Sequence, residues 1–278
     1  MEVRAHESVE EFRAIAEPLY RRDPVANTIE LTLLRAGSLP DDSLLMTVWD
    51  DGTSVGAALQ TPPYPLACNG IPTRTMNAVA GKLVEWRPDL TGVRGVRSSA
   101  VAFADAWRTI AGRAGKIDTE ERLYRLGTLR PPNDVAGTAR LATNDDRGQL
   151  VEWVELFFAE TFSRRDEAAG DRFVANAQRV GDRFILWEVD GEPVSTAMLR
   201  APAFGVSRIG PVFTPRNRRG HGYGSAVTAA AAQLAHRSGT PEVVLFADLA
   251  NPTSNAIYQR IGFEAVVESV RIDFVTVG

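Results

Sequence analysis

Two Asp-Gly pairs, Asp51-Gly52 and Asp190-Gly191, lie 139 residues apart in the chain. Each pair separates two short stretches of alternating apolar residues, which is a strong signal for a β-hairpin. The first joins SLLMTVWD to SVGAALQT, and the second joins RFILWEVD to PVSTAMLR. We therefore predict antiparallel sheet in both halves of the chain.

The elements expected around the two hairpins follow one order. Two helical stretches precede each hairpin: SVEEFRAIAEPLYRR and DPVANTIELTLLRAG in the first half, QLVEWVELFFAETF and DEAAGDRFVANAQRV in the second. A helix, a strand, a helix and a last strand then follow, near 75–87, 93–97, 100–113 and 122–129, and again near 222–237, 242–248, from 252 and 263–275. This order predicts a tandem duplication of an α/β domain with a mostly antiparallel central sheet flanked by helices. Two unrelated α/β domains that reuse the same hairpin are the alternative.

Composition narrows the function classes. The segment PPNDVAGTARLATNDDR, 131–147, has the composition of a linker, so we expect domains at 1–133 and 140–278. The net charge is −4 and neither half is basic, which disfavours nucleic acid as a partner. No apolar stretch is typical of a secretory signal or a membrane span, so we expect a cytoplasmic protein without a membrane partner. Cys68 is the sole cysteine and the three histidines are scattered, so no metal site is expected.

A glycine-rich turn follows a strand in SRIGPVFTPRNRRGHGYGSAVTAAAAQLAHRSG, 207–239. The strand is expected to end near Thr214 with a bulge at Gly210-Pro211, and a helix should begin near Tyr223. A strand, a glycine turn and a helix N-terminus together favour an anion site; a flexible surface turn is the alternative. The absence of Lys-Ser/Thr after the glycines excludes a P-loop NTPase, and the pattern is not G-x-G-x-x-G.

A second polar constellation occupies DLANPTSNAIYQRIGF, 248–263. Asn251 is a good helix N-cap, Pro252 suits the first helical position, and Gly262 is expected to end the helix. The spacing places Asn251, Ser254, Asn255 and Tyr258 on one helix face. Simple solvation of that face is the alternative.

Together, RRGHGYG and NPTSNAIYQRIGF resemble the GNAT superfamily of acetyl-CoA-dependent N-acetyltransferases. The first is similar to its pyrophosphate loop and the second to its Asn…Tyr…Gly-Phe segment. The resemblance implies acetyl-CoA as co-substrate, and it implies these binding residues: Val212, Phe213, Thr214, Arg218, Arg219, Gly220, His221, Gly222, Tyr223, Gly224, Ser225, Asn251, Ser254, Asn255 and Tyr258.

The first half has the element order but lacks these residues. Its corresponding stretch reads NGIPTRTMNAVAG, in which Arg74 is followed by no paired glycines. We interpret it as a degenerate GNAT-like domain without the cofactor motif. Packing support, a wall of the substrate site and a homodimer surface remain open as its role.

The resemblance implies direct transfer of the acetyl group to an amine of a small molecule or a peptide. A backbone N–H of Val212–Thr214 would stabilise the developing oxyanion, and Tyr258 would protonate the departing thiolate, unless its hydroxyl only contacts the coenzyme. The strand RIGPVFT has no carboxylate, so Asp248, Glu188 or a chain of solvent molecules are the candidates for the general base. A non-catalytic acyl-CoA-binding or sensing protein is the rival interpretation.

Overall fold

The structure, a computed structural model, describes residues 1–37, 39–162 and 169–275. The chain forms two compact units. The first contains Met1–Leu123, Ala247–Asn251 and the residues from Val266 onward. The second contains Tyr124–Phe246 and Pro252–Ala265.

The first unit is an α/β fold whose strands pair mostly antiparallel. Strands β1–β4 pair antiparallel in sequence order, and β4 and β5 pair parallel. Its elements are β1 (Glu2–His6), α1 (Val9–Tyr20), α2 (Thr28–Ala36), β2 (Leu44–Asp50), β3 (Thr53–Gln60), β4 (Leu66–Ala67), α3 (Met76–Trp86), β5 (Gly92–Val96), α4 (Arg97–Ala111) and most of β6 (Ala114–Leu126).

The second unit repeats this pattern. Strands β7–β10 pair antiparallel, and β10 and β11 pair parallel. Its elements are β7 (Thr138–Leu141), α5 (Arg147–Phe162), α6 (Ala169–Arg179), β8 (Arg183–Val189), β9 (Glu192–Leu199), β10 (Val206–Phe213), α7 (Tyr223–Arg237), most of β11 (Glu242–Asp248), α8 (Pro252–Arg260) and the start of β12 (Phe263–Val275). The predicted class, a duplicated α/β fold with mostly antiparallel sheet, is confirmed.

Both Asp-Gly pairs form the expected hairpin turns. Asp51 and Gly52 have φ of 46° and 77°, and Asp190 and Gly191 have φ of 51° and 81°. Two successive left-handed residues define the turn whose twist matches that of the flanking strands. The two hairpins therefore share a local geometry as well as a position in the element order.

Each unit has its own hydrophobic core. In the first, the rings of Trp107 and Phe274 stack with centroids 5.5 Å apart, above buried residues of β2 and α3. In the second, Trp153 of α5 packs against Phe213 at the end of β10, with ring centroids 6.2 Å apart. This contact places α5 beside the strand end that carries the candidate site.

Several sequence expectations need correction. Residues 138–141 are the strand β7 rather than linker, because they pair with β8. The charged strand β1 has no counterpart among the expected elements, and β6 begins at Ala114, well before the expected 122. The expected second helix of the second half includes 166–168, which lie outside the described residues.

The compact units also group residues differently from the boundaries 1–133 and 140–278. From Val266 onward, β12 belongs to the first unit, where it pairs antiparallel with β5. Tyr124–Leu126 of β6 belong to the second unit, in which β6 neighbours β11. Across the part of the chain that the structure describes, no helix is both long and apolar enough to cross a membrane.

Candidate functional site

The end of β10 departs from regular pairing, as the expected bulge requires. Its register against β9 shifts between Ile209 and Val212, and its parallel pairing with β11 ends at Ile209 and Leu245. The Phe213 carbonyl accepts a hydrogen bond of 3.0 Å from Ser195 Oγ on β9. Val212 and Phe213 therefore lie beyond the last β10–β11 pair, while both still pair with β9.

Thr214 is the junction between β10 and the glycine turn. Its Oγ1 lies 2.8 Å from Ser195 Oγ, and its carbonyl accepts a 2.9 Å hydrogen bond from Arg219 Nε. After Pro215, the chain makes one 3₁₀ turn over Arg216–Arg218. These contacts connect the end of β10 to β9 on one side and to the glycine turn on the other.

Two glycines of the turn have a left-handed backbone. Gly220 and Gly222 have φ of 86° and 81°, a region that side-chain-bearing residues rarely adopt. The first hydrogen bond of α7 joins Ala226 N–H to the Gly222 carbonyl at 3.0 Å. The N–H groups of Tyr223, Gly224 and Ser225 therefore precede the helical hydrogen bonds, where the helix dipole favours an anion.

Space around the glycines is limited on the protein side. A Cβ on Gly222 would lie 3.0 Å from Val135 Cγ2, and one on Gly224 would lie 3.4 Å from Thr214 Oγ1. Among neighbouring residues of the turn, His221 is exposed and its ring stacks on Tyr223 with centroids 5.4 Å apart, while Ser225 is buried. The turn is therefore packed on its protein side and exposed at His221 and Gly222.

The arginines of the turn form ion pairs with glutamates. Arg216 Nε lies 3.0 Å and Arg219 Nη2 lies 2.7 Å from the carboxylate of Glu160, on α5. Burial raises the pKa of Glu160, but its hydrogen bonds to Arg219 and Arg216 outweigh that effect and lower the pKa below its usual range. Arg218 instead pairs with Glu192 at 3.1 Å. Sequence spacing offers no signal for Glu160, and our sequence analysis missed it.

Tyr258 lies on α8 and is nearly buried, with 9% of its surface exposed. Its ring meets Phe263 edge-on, with centroids 6.2 Å apart. Burial raises the pKa of Tyr258 to about 12. The phenol is therefore protonated at neutral pH and can act as a proton donor.

The other polar residues of α8 do not form one uniform face. Asn255 Oδ1 accepts a 2.7 Å hydrogen bond from Tyr124 Oη, so part of its side chain is used within the second unit. Ser254 is half-buried, whereas Asn251 is exposed and precedes the helix. The residues that helical spacing places on one face therefore differ in burial and in hydrogen bonding.

The two carboxylates considered as general bases have structural partners. Glu188 accepts from Arg140 Nε at 2.7 Å, and Arg140 also donates to both oxygens of Asp146. That ion pair argues against Glu188 as the base. Asp248 belongs to the first unit, where its Oδ1 accepts a 2.8 Å hydrogen bond from the Ala250 amide. Within the described residues, no cluster of His, Cys, Asp or Glu is arranged to hold a metal ion.

Comparisons with known proteins agree with this geometry. Residues 148–263 match the model of the acetyltransferase (GNAT) family, a range that includes β10, the glycine turn and α8. No curated protein matches the chain.

Three solved structures share the fold of the chain. A GNAT-family acetyltransferase from Colwellia psychrerythraea has a TM-score of 0.67 at 10% identity, over 99% of this chain and 100% of that one. A GCN5-related N-acetyltransferase from Sphaerobacter thermophilus has 0.64 at 20% identity, over 98% and 94%. A tandem GNAT protein from the clavulanic acid biosynthesis pathway has 0.63 at 14% identity, over 100% and 98%. The predicted two-domain fold is therefore confirmed.

Proposed function

We propose that this chain, whose residues 148–263 match the model of the acetyltransferase (GNAT) family, transfers the acetyl group of acetyl-CoA to a primary amine. The match to the family model supports acyl transfer in general. The choice of acetyl-CoA and of an amine acceptor, either a small molecule or a peptide, is our proposal.

One observation carries the proposal: a strand end beyond its last parallel pair leads directly into a left-handed glycine turn and a helix N-terminus. The N–H groups of Tyr223, Gly224 and Ser225 suit a pyrophosphate, since they combine unpaired donors with the positive end of the α7 dipole. The Val212 amide suits the carbonyl of a thioester, because Val212 lies beyond the point at which the β10–β11 pairing ends.

The residues of this chain then have distinct roles in the transfer. The Val212 N–H would donate to the acetyl oxygen, on which negative charge develops as the amine attacks. The Tyr258 hydroxyl would give its proton to the departing thiolate sulfur. The amine must attack in its neutral form, and its proton would pass to solvent.

In the first unit, hydrogen bonds continue beyond the parallel β4–β5 pair. Cys68 N–H donates to the Arg94 carbonyl at 3.0 Å, and Asn69 Oδ1 accepts from Val96 N–H at 2.7 Å. Asn69 Nδ2 also donates to the Ala26 carbonyl at 3.0 Å. The side chain of Asn69 therefore ties together the region beyond the β4–β5 pairing, which supports the degenerate interpretation.

We expect one equivalent of acetyl-CoA to bind per chain, in the second unit. Isothermal titration calorimetry of the purified full chain measures this stoichiometry directly. Two equivalents per chain would show that the first unit has kept a binding site despite Asn69.

The activity itself is tested by a screen of acceptors with acetyl-CoA. We would follow free thiol release with amino acids, polyamines, aminoglycosides and peptides as amines. Acetylated product from at least one amine is expected. Because both carboxylates considered as bases have hydrogen-bond partners, a non-catalytic acyl-CoA sensor is the second candidate. Tight acetyl-CoA binding without product from any amine would favour the sensor.

A further inference from the structure

The carboxylate of Glu160 contacts two arginines of the turn between β10 and α7. Oε1 accepts from Arg216 Nε at 3.0 Å and Oε2 accepts from Arg219 Nη2 at 2.7 Å. Arg219 also contacts the end of β10, because its Nε donates to the Thr214 carbonyl at 2.9 Å. One glutamate is thus joined through Arg219 to the residue at which β10 ends.

Glu160 projects from a well-anchored helix. It lies seven residues after Trp153, two helical turns along the same face, and Trp153 packs on Phe213 of β10. Leu150 and Val154 of α5 are also buried. Core packing therefore holds the helix that carries Glu160.

We infer that Glu160 is a positioning residue for acetyl-CoA binding, holding Arg219 so that the turn 215–222 is preformed for the pyrophosphate. This inference rests on the proposed function. The Arg219 guanidinium donates to Glu160 and to the Thr214 carbonyl, so it stabilises the conformation of the turn. The backbone amides at the start of α7 then bind the anion. If the turn were not preformed, the observed affinity would fall in proportion to the fraction of molecules in the binding conformation.

A second ion pair in the same turn provides a matched control. Arg218 pairs with Glu192 at 3.1 Å, and both side chains are more exposed than Glu160: 45% and 73%, against 29%. Glu192→Gln removes the same charge beside the same turn as Glu160→Gln. A purely electrostatic effect, the release of an arginine toward the phosphates, should therefore be similar in the two variants and should strengthen binding.

The test measures acetyl-CoA affinity by calorimetry in the full-length wild type, Glu160→Gln, Glu160→Asp and Glu192→Gln. We expect Glu160→Gln to weaken binding about fivefold to tenfold. This is the change in affinity that corresponds to the loss of two partly exposed ion pairs. Glu160→Asp should lie between it and the wild type, and Glu192→Gln should stay within about twofold. With an acceptor, KM for acetyl-CoA should rise in Glu160→Gln while kcat at saturation is retained, a split that general unfolding would not produce.

Hydrogen exchange of the amides 216–222 without ligand gives a readout that does not depend on the proposed function. We expect faster exchange in Glu160→Gln than in Glu192→Gln. Equal exchange in the two variants, or acetyl-CoA affinity in Glu160→Gln equal to or above that of the wild type, would overturn the inference. A wild type that binds no acetyl-CoA would instead refute the proposed function, and the exchange experiment would still decide whether Glu160 holds the turn.

Discussion

Gly222→Glu is expected to abolish acetyl-CoA binding, with a loss of affinity of more than about 100-fold. Gly222 has φ of 81°, and a Cβ there would lie 3.0 Å from Val135 Cγ2. Such a backbone costs a side-chain-bearing residue about 1–2 kcal/mol, so the turn should shift. The new carboxylate would also repel the pyrophosphate at the start of α7, where the free N–H groups are expected to bind it. Calorimetry on the full chain measures the loss.

Gly239→Glu is the matched control for this variant. Gly239 follows the other end of α7, has φ of 78°, and has open space where a Cβ would lie. It carries the same backbone strain and the same added charge, away from the glycine turn. Thermal melting should fall in both variants, whereas only Gly222→Glu should lose acetyl-CoA. Equal affinity in both variants would refute the assignment of the glycine turn.

Tyr258→Phe is expected to lower kcat by ~10²–10⁴-fold with little change in KM for acetyl-CoA, the range typical of general acid catalysis. The change removes one hydroxyl and leaves the packing against Phe263 in place. Steady-state kinetics with an acceptor from the amine screen measures both constants. A raised KM at unchanged kcat would show instead that the hydroxyl only contacts the coenzyme.

Tyr124→Phe controls for effects on α8. The Tyr124 hydroxyl bonds Asn255 of the same helix, so its loss perturbs α8 without removing the proposed acid. We expect a loss of about 1 kcal/mol of stability with kcat within about fivefold of the wild type, because the proposed acid stays in place.

The raised pKa of Tyr258, about 12, also predicts a pH dependence. The phenol stays protonated through the neutral and mildly alkaline range, so its titration should not reduce activity below about pH 10. Because the folded pKa lies above that of an unfolded tyrosine, the stabilisation is complete below about pH 10 and is lost as the pH rises through 12. Urea unfolding between pH 9 and 11 should show a smaller alkaline loss of stability in Tyr258→Phe than in the wild type.

The sequence by itself determined the local features of this protein. The hairpins follow from Asp-Gly pairs and the glycine turn from Gly220 and Gly222, because glycine adopts positive φ without the steric cost that a Cβ brings and so marks where the chain turns. The bounds of α7 and α8 follow from residues that favour helix ends, such as Gly222 before α7 and Pro252 and Gly262 at the two ends of α8. The duplication followed from the repetition of such local features in one order.

Tertiary structure decided which distant residues meet. Ser269 Oγ donates to the Gly95 carbonyl across 174 positions, placing the end of the chain in the first unit. Glu160 meets Arg219 and Glu188 meets Arg140, each across many residues and without a sequence pattern. With 31 basic and 35 acidic side chains, a chain has many ion pairs of similar energy open to it. Burial of residues such as Trp153 and Phe213 selects among these pairs, since core packing positions the helices that carry the charges.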